Sequence, residues 1–228
     1  MSTIAANIST LESRIRTAAL AAQRDPGAIG LLAVSKTKPA AAIREAFAAG
    51  LRDFGENYLQ EALGKQQELA DLPLCWHFIG PIQSNKTRAI AEHFAWVHSV
   101  DRLKIAQRLS EQRPPGLEPL NICLQVNVSG EASKSGCAPQ DLPALAEAVS
   151  ALPRLRLRGL MAIPEPTDDT DAQLAAFARV RTLREHLNLP LDTLSMGMSH
   201  DLEAAIAQGA TWVRIGTALF GARDYGRP

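Results

Sequence analysis

The sequence predicts an α/β fold, a single (β/α)8 (TIM) barrel with an extra N-terminal helix. Three observations carry that prediction. Eight short apolar runs alternate with stretches of helical periodicity, which implies a parallel sheet covered by helices. The 228 residues match the span of such a barrel. No GxGxxG turn follows the first apolar run, as it would in many open, doubly wound nucleotide-binding sheets.

The elements follow in order. Ile4, Ile8, Leu11 and Ile15 share one face of an N-terminal helix. Residues 31–34 are an apolar run bounded by turn signals and read as the first strand. Residues 40–49 form a helix with Ile43 and Phe47 on one face, stopping at Gly50. The next strands are placed at residues 53–54 with their neighbours, 75–79, 96–98, 121–126 and 157–161. Residues 171–187 carry Leu174, Phe177, Val180, Leu183 and Leu187 at helical spacing. A seventh strand at 193–195 leads into a helix at 202–208, ended by Gly209, and an eighth strand follows at 212–215. Few residues remain for an eighth outer helix, so the N-terminal helix is expected to fill that gap. The Pro-rich stretches at 113–116 and 164–166 read as loops inside one unit, residues 1–228.

Composition narrows the functional classes. Lys plus Arg and Asp plus Glu both number 24, so no basic excess suggests a nucleic-acid surface. At 46% hydrophobic residues the chain can build a large core without staples. Cys75, Cys123 and Cys137 are too few and too scattered for a disulfide framework or a zinc site; Cys75 and Cys123, in apolar strand-like runs, read as buried free thiols, which suits a reducing compartment. His93, His98, His186 and His200 show no metal-ligand spacing, so no metal is expected. Residues 1–10 lack a signal-peptide pattern, and no stretch approaches membrane-spanning length. A cytoplasmic protein without a membrane or nucleic-acid partner is expected.

Function in such a barrel sits at the carboxyl ends of the strands. Lys36 follows the first strand there. A lysine held near apolar walls has its ammonium form disfavoured, which frees the lone pair for attack on a carbonyl. The competing reading is a lysine reaching outward to solvent. Gly216-Thr217 follows the eighth strand, where barrels commonly bind phosphate, and Ser199 precedes a helix. Ser199 reads equally as a phosphate ligand or a plain N-cap. An imine-forming lysine beside a phosphate suggests pyridoxal 5′-phosphate; a Schiff-base aldolase acting on a phosphorylated sugar needs the same parts. Glu56 is the strand-end carboxylate such an aldolase would use.

Five blocks settle on a resemblance. They are residues 33–39, Phe54-Gly55-Glu56-Asn57-Tyr58, residues 76–80 with Gln83-Ser84-Asn85-Lys86, Ser195-Met196-Gly197-Met198-Ser199, and residues 213–217 with Phe220-Gly221. In this order they resemble the pyridoxal phosphate homeostasis (YggS/PROSC) family, over nearly the full chain. That family is similar to the barrel domain of alanine racemase. The resemblance implies that Lys36 holds the cofactor as an aldimine. Arg214 would face the pyridine nitrogen, while Ser199, Gly216 and Thr217 hold the phosphate. Asn57 and His77 would line the site, and Met161 would pack against a ring face or serve as core. Lys134, in a loop matching the family, reads either as an aid to cofactor entry or as a solvated loop residue, and Lys38 and Lys86 stand likewise.

The resemblance implies a carrier of vitamin B6 that delivers pyridoxal phosphate to apo-enzymes and is not an enzyme. A monomer is expected. The alternatives are a racemase of low activity or the aldolase. A racemase needs a second base, and the only tyrosines, Tyr58 and Tyr225, are not obvious partners for Lys36.

Overall fold

A computed structural model describes residues 3–130 and 135–221. Eight parallel strands close in sequence order: β1 (Gly30–Val34), β2 (Asp53–Glu56), β3 (Cys75–Phe78), β4 (Trp96–Val100), β5 (Leu120–Gln125), β6 (Leu155–Met161), β7 (Thr193–Ser195) and β8 (Trp212–Ile215). Closure is made by β8 on β1, with Leu32 opposite Arg214 and Ala33 opposite Ile215. Every strand read from the sequence is present. Several extend one or two residues beyond the apolar runs, because polar residues such as Glu56 and Ser99 belong to the ladder.

The helices are α1 (Ile4–Ala21), α2 (Ala40–Ala48), α3 (Leu59–Glu68), α4 (Thr87–His93), α5 (Leu103–Gln112), α6 (Leu142–Ser150), α7 (Thr170–Glu185), α8 (Leu202–Ala207) and the single turn α9 (Thr217–Phe220). Among the described residues none is long and apolar enough to cross a membrane. Thr3 caps α1 by accepting from the Ala6 N–H at 3.2 Å.

The N-terminal helix does fill the gap. It buries Ile8, Leu11, Ile15, Ala18 and Ala19 and packs against α2, α8 and α9, over the seam where β8 meets β1. Polar contacts fix its angle. Asn7 donates to the Leu219 carbonyl at 2.8 Å, Arg14 forms an ion pair with Glu203 at 2.8 Å, and Arg24 donates to the Ile206 carbonyl at 2.7 Å.

Strand side chains alternate between two environments. Ala33, Phe54, Trp76, Phe78, Val97, Ile122, Leu160 and Val213 face the helices and join the main core. The barrel interior is different. Its apolar part is a small separate cluster of Trp96, Cys123 and Met161. Beside it, with Leu32 also facing inward, runs a polar column containing His77, His98, Ser195 and Arg214, all buried.

Candidate cofactor site at the carboxyl ends of the strands

Beyond β1 the chain stays paired through the Ser35 N–H on the Gly55 carbonyl (3.0 Å), then turns, with the Lys38 N–H on the Ser35 carbonyl (3.0 Å). Lys36 stands on this turn, partly buried and engaged with its neighbours. The turn is clamped from the helix layer. Lys65 of α3 donates to the Ser35 carbonyl and to Glu56 Oε1, both at 2.7 Å, and pairs with Glu61. Ser35 Oγ donates to the same Glu56 oxygen at 2.6 Å. Glu61 in turn accepts the Thr37 N–H at 2.6 Å, supporting a residue with φ of 63°. Burial pushes the Glu56 carboxyl up from its ordinary pKa, with Lys65 opposing the shift.

Glu56 therefore points into the helix layer, because it alternates with the inward-facing Gly55. It is not a strand-end carboxylate aimed at the mouth. Asn57, the next residue, lies under Gly80. A Cβ on Gly80 would come within 2.3 Å of the Asn57 carbonyl oxygen, so the two chain segments approach closely only with glycine there. Asn57 Oδ1 is buried and, among the described residues, has no hydrogen-bond partner. Such an orphan acceptor in a native fold needs an explanation, and a bound ligand group would supply one.

Gly216 and Thr217 lie beside the Lys36 turn, since β1 and β8 are neighbours. A Cβ on Gly216 would sit 3.3 Å from the Val34 carbonyl oxygen. The Leu219 and Phe220 N–H groups bond back to the Gly216 carbonyl, making the turn α9. Ser199 lies in the turn before α8, and its carbonyl accepts Arg14 at 3.2 Å. The N-cap position of α8 is held by Asp201, not Ser199, and Asp201 accepts the Met198 N–H at 2.6 Å.

Arg214 is 4% exposed in the barrel interior. It donates to Ser195 Oγ and to the Ala162 carbonyl, both at 2.9 Å. Among the described residues it forms no salt bridge with a carboxylate. Burial lowers its pKa to about 10, which still leaves it protonated at neutral pH. Behind it, Ser195 Oγ bonds His98 Nδ1 at 2.7 Å, His98 Nε2 bonds His77 Nδ1 at 2.9 Å, and His77 Nε2 meets Asp53 at 3.0 Å. Both imidazoles are buried and pushed towards the neutral form.

The sequence-based placement of His77 at a strand end thus needs adjustment. His77 sits inside β3, paired in register with Gly55 and Trp96, and both its ring nitrogens are engaged by protein groups. Met161 ends β6 against Trp96 and Cys123. Lys134 and Tyr225 lie outside the described residues. Lys36, Asn57, Gly216 and Thr217 are brought to one end of the barrel. Sequence reading missed Lys65, Glu61, Asp53 and the role of His98. For His98 a signal existed: it shares the period-two face of Trp96 within β4. Lys65 reads only as a charged helix residue until α3 is docked.

The described fold and site define an alanine-racemase-type barrel. The family described as the N-terminal domain of alanine racemase matches residues 2–224. The pyridoxal phosphate homeostasis protein of Pseudomonas aeruginosa is 82% identical over 228 residues, covering 100% of this chain and 99% of the relative. That of Escherichia coli K12 is 55% identical over 237 residues, covering 100% of each. The solved structure of PipY from Synechococcus elongatus with pyridoxal phosphate bound is 44% identical with a TM-score of 0.85, covering 96% of this chain and 100% of that one. Alanine racemase from Corynebacterium glutamicum shares the fold, at 20% identity and a TM-score of 0.68, over 99% of this chain and 63% of its own. The chain belongs to the family of pyridoxal phosphate homeostasis proteins.

Proposed function

We propose that this chain binds pyridoxal 5′-phosphate at the carboxyl ends of the strands, as an intracellular vitamin B6 homeostasis protein, and holds the cofactor rather than using it for turnover. When bound, the cofactor brings an aldehyde that a lysine amine can capture and a pyridine ring that can accept electrons. Lys36, on its clamped turn, is the covalent anchor in this reading. Gly216, Thr217 and Ser199 would hold the phosphate, Asn57 would offer its orphan Oδ1, and Met161 would contribute an apolar wall.

One observation carries the non-catalytic half of the proposal: Arg214 is buried, stays protonated and has no carboxylate salt-bridge partner among the described residues. A guanidinium has no acceptor and gives up no proton near neutrality. Set against the pyridine nitrogen, it would keep that nitrogen unprotonated and weaken the ring as an electron sink. Release to apo-enzymes, action in the cytoplasm, a monomeric state and operation of the chain as one barrel unit complete the reading.

The test is direct. Adding pyridoxal phosphate to the purified protein should produce a visible absorption band, and borohydride reduction should label Lys36 in the mapped peptide. Lys36→Ala should lose the label and keep its circular dichroism. A label of unchanged yield in Lys36→Ala overturns the anchor. Racemisation of alanine at a rate typical of an enzyme overturns the carrier assignment.

A further inference from the structure

We propose that Asp53, Cys75 and His77 form a binding site for one zinc-class divalent cation at the N-terminal base of the barrel, opposite the cofactor end. All three side chains face inward. Asp53 and Cys75 pair directly across β2 and β3, and His77 is two residues further along β3, on the same face. The register alone therefore stacks a carboxylate, a thiol and an imidazole in one corner of the interior.

The distances suit a metal of this class. With ordinary zinc bond lengths, tetrahedral ligands stand about 3.3–3.5 Å apart. Cys75 Sγ lies 3.4 Å from His77 Nε2, within that spacing, and Asp53 Oδ1 lies 3.0 Å from the same nitrogen, a hydrogen-bond distance that opens by about 0.3 Å to admit the ion. All three ligand atoms fall within 4.8 Å of one another. A mixed sulfur, nitrogen and oxygen set favours zinc or cobalt over magnesium or calcium, which prefer oxygen alone. The surrounding shell is already in place. His77 Nδ1 is tied to His98 at 2.9 Å, which orients Nε2 towards the other two ligands. Trp96 stacks on the His77 ring at 5.5 Å.

Asp53 lines a cleft of about 620 Å³ between α1 and the barrel base, shared with Glu12, Arg16, Arg52 and Trp212, and of the three ligands it is the one on that wall. The nearby Arg158 guanidinium is neutralised by Asp192, at 2.8 Å. Binding breaks the Cys75 S–H bond, forms a metal–sulfur bond and sends that proton to solvent, while the Nε2 proton that His77 shares with Asp53 is given up and Nδ1 takes one in its place, leaving the imidazole neutral. No electron is transferred.

The experiment is a titration of the metal-free full chain with Co²⁺ and Zn²⁺, without pyridoxal phosphate, so its outcome is separate from the Lys36 reading. One equivalent of Co²⁺ should give a thiolate-to-cobalt charge-transfer band. Zn²⁺ should displace it and change the emission of Trp96 and Trp212, whose rings lie 5.5 and 5.2 Å from His77. Cys75→Ala should abolish the band, and the near-isosteric Asp53→Asn should weaken Zn²⁺ by at least about tenfold. No band in the wild-type chain overturns the site. A band unchanged in Cys75→Ala also overturns it, by assigning the sulfur to Cys123 or Cys137, as does unchanged affinity in Asp53→Asn.

Discussion

Lys36 owes its position to side chains it does not contain. The Ser35-Lys36-Thr37 turn is held by Lys65 through the Ser35 carbonyl and by Glu61 through the Thr37 N–H. Lys65 and Glu56 are both buried, so removing one partner leaves an uncompensated charge. Lys65→Met is expected to cost about 3–5 kcal/mol in urea unfolding and to reduce the borohydride label at Lys36. Glu56 makes a separate prediction about pH. Its folded-state pKa is raised, so the stability it contributes is complete below the unfolded carboxyl pKa and declines as pH rises through the folded value. Glu56→Gln removes that dependence. The stability of Glu56→Gln relative to the parent should therefore rise as pH increases above the ordinary carboxyl range. Paired urea titrations from that range upward measure it.

At the scale of elements, α1 substitutes for the eighth outer helix. α9 is too short to cover the β8–β1 seam, and the apolar face of α1 lies over it. Leu11 is 2% exposed in that contact. Leu11→Ala should destabilise by about 2–5 kcal/mol, read as a lower urea midpoint with an unchanged slope. The crossing of Gly80 over Asn57 is a second element-level constraint. Gly80→Ala forces backbone apart and is expected to cost up to about 3 kcal/mol. Because the shift falls on Asn57, it should also weaken pyridoxal phosphate binding, whereas Leu11→Ala should lower stability and leave affinity nearly unchanged. Equilibrium dialysis separates the two.

For the molecule as a unit, a neutral chain with its apolar residues spent on the helix–sheet layer is expected to sediment as a monomer at micromolar concentration, with and without pyridoxal phosphate. Sedimentation velocity checks this, and a stable dimer would contradict it. The barrel was legible early because eight apolar runs alternated with helical stretches, and outward-facing residues such as Ala33, Val97 and Val213 give each strand a hydrophobic signature. The strand-end positions of Lys36, Asn57, Gly216 and Thr217 followed from the same pattern. The interior was not legible. Asp53, His77, His98, Ser195 and Arg214 come from different strands, and nothing in their spacing says which nitrogen meets which oxygen. By itself the sequence determined the strand–helix order and the residues at each strand's exit, because local periodicity records which face of an element is apolar. Only the tertiary structure decided that Glu56 turns to Lys65, that His77 spends both nitrogens inside the barrel, and that Asp53, Cys75 and His77 share a corner. Those contacts depend on strand register and closure, which bring together residues far apart in the chain.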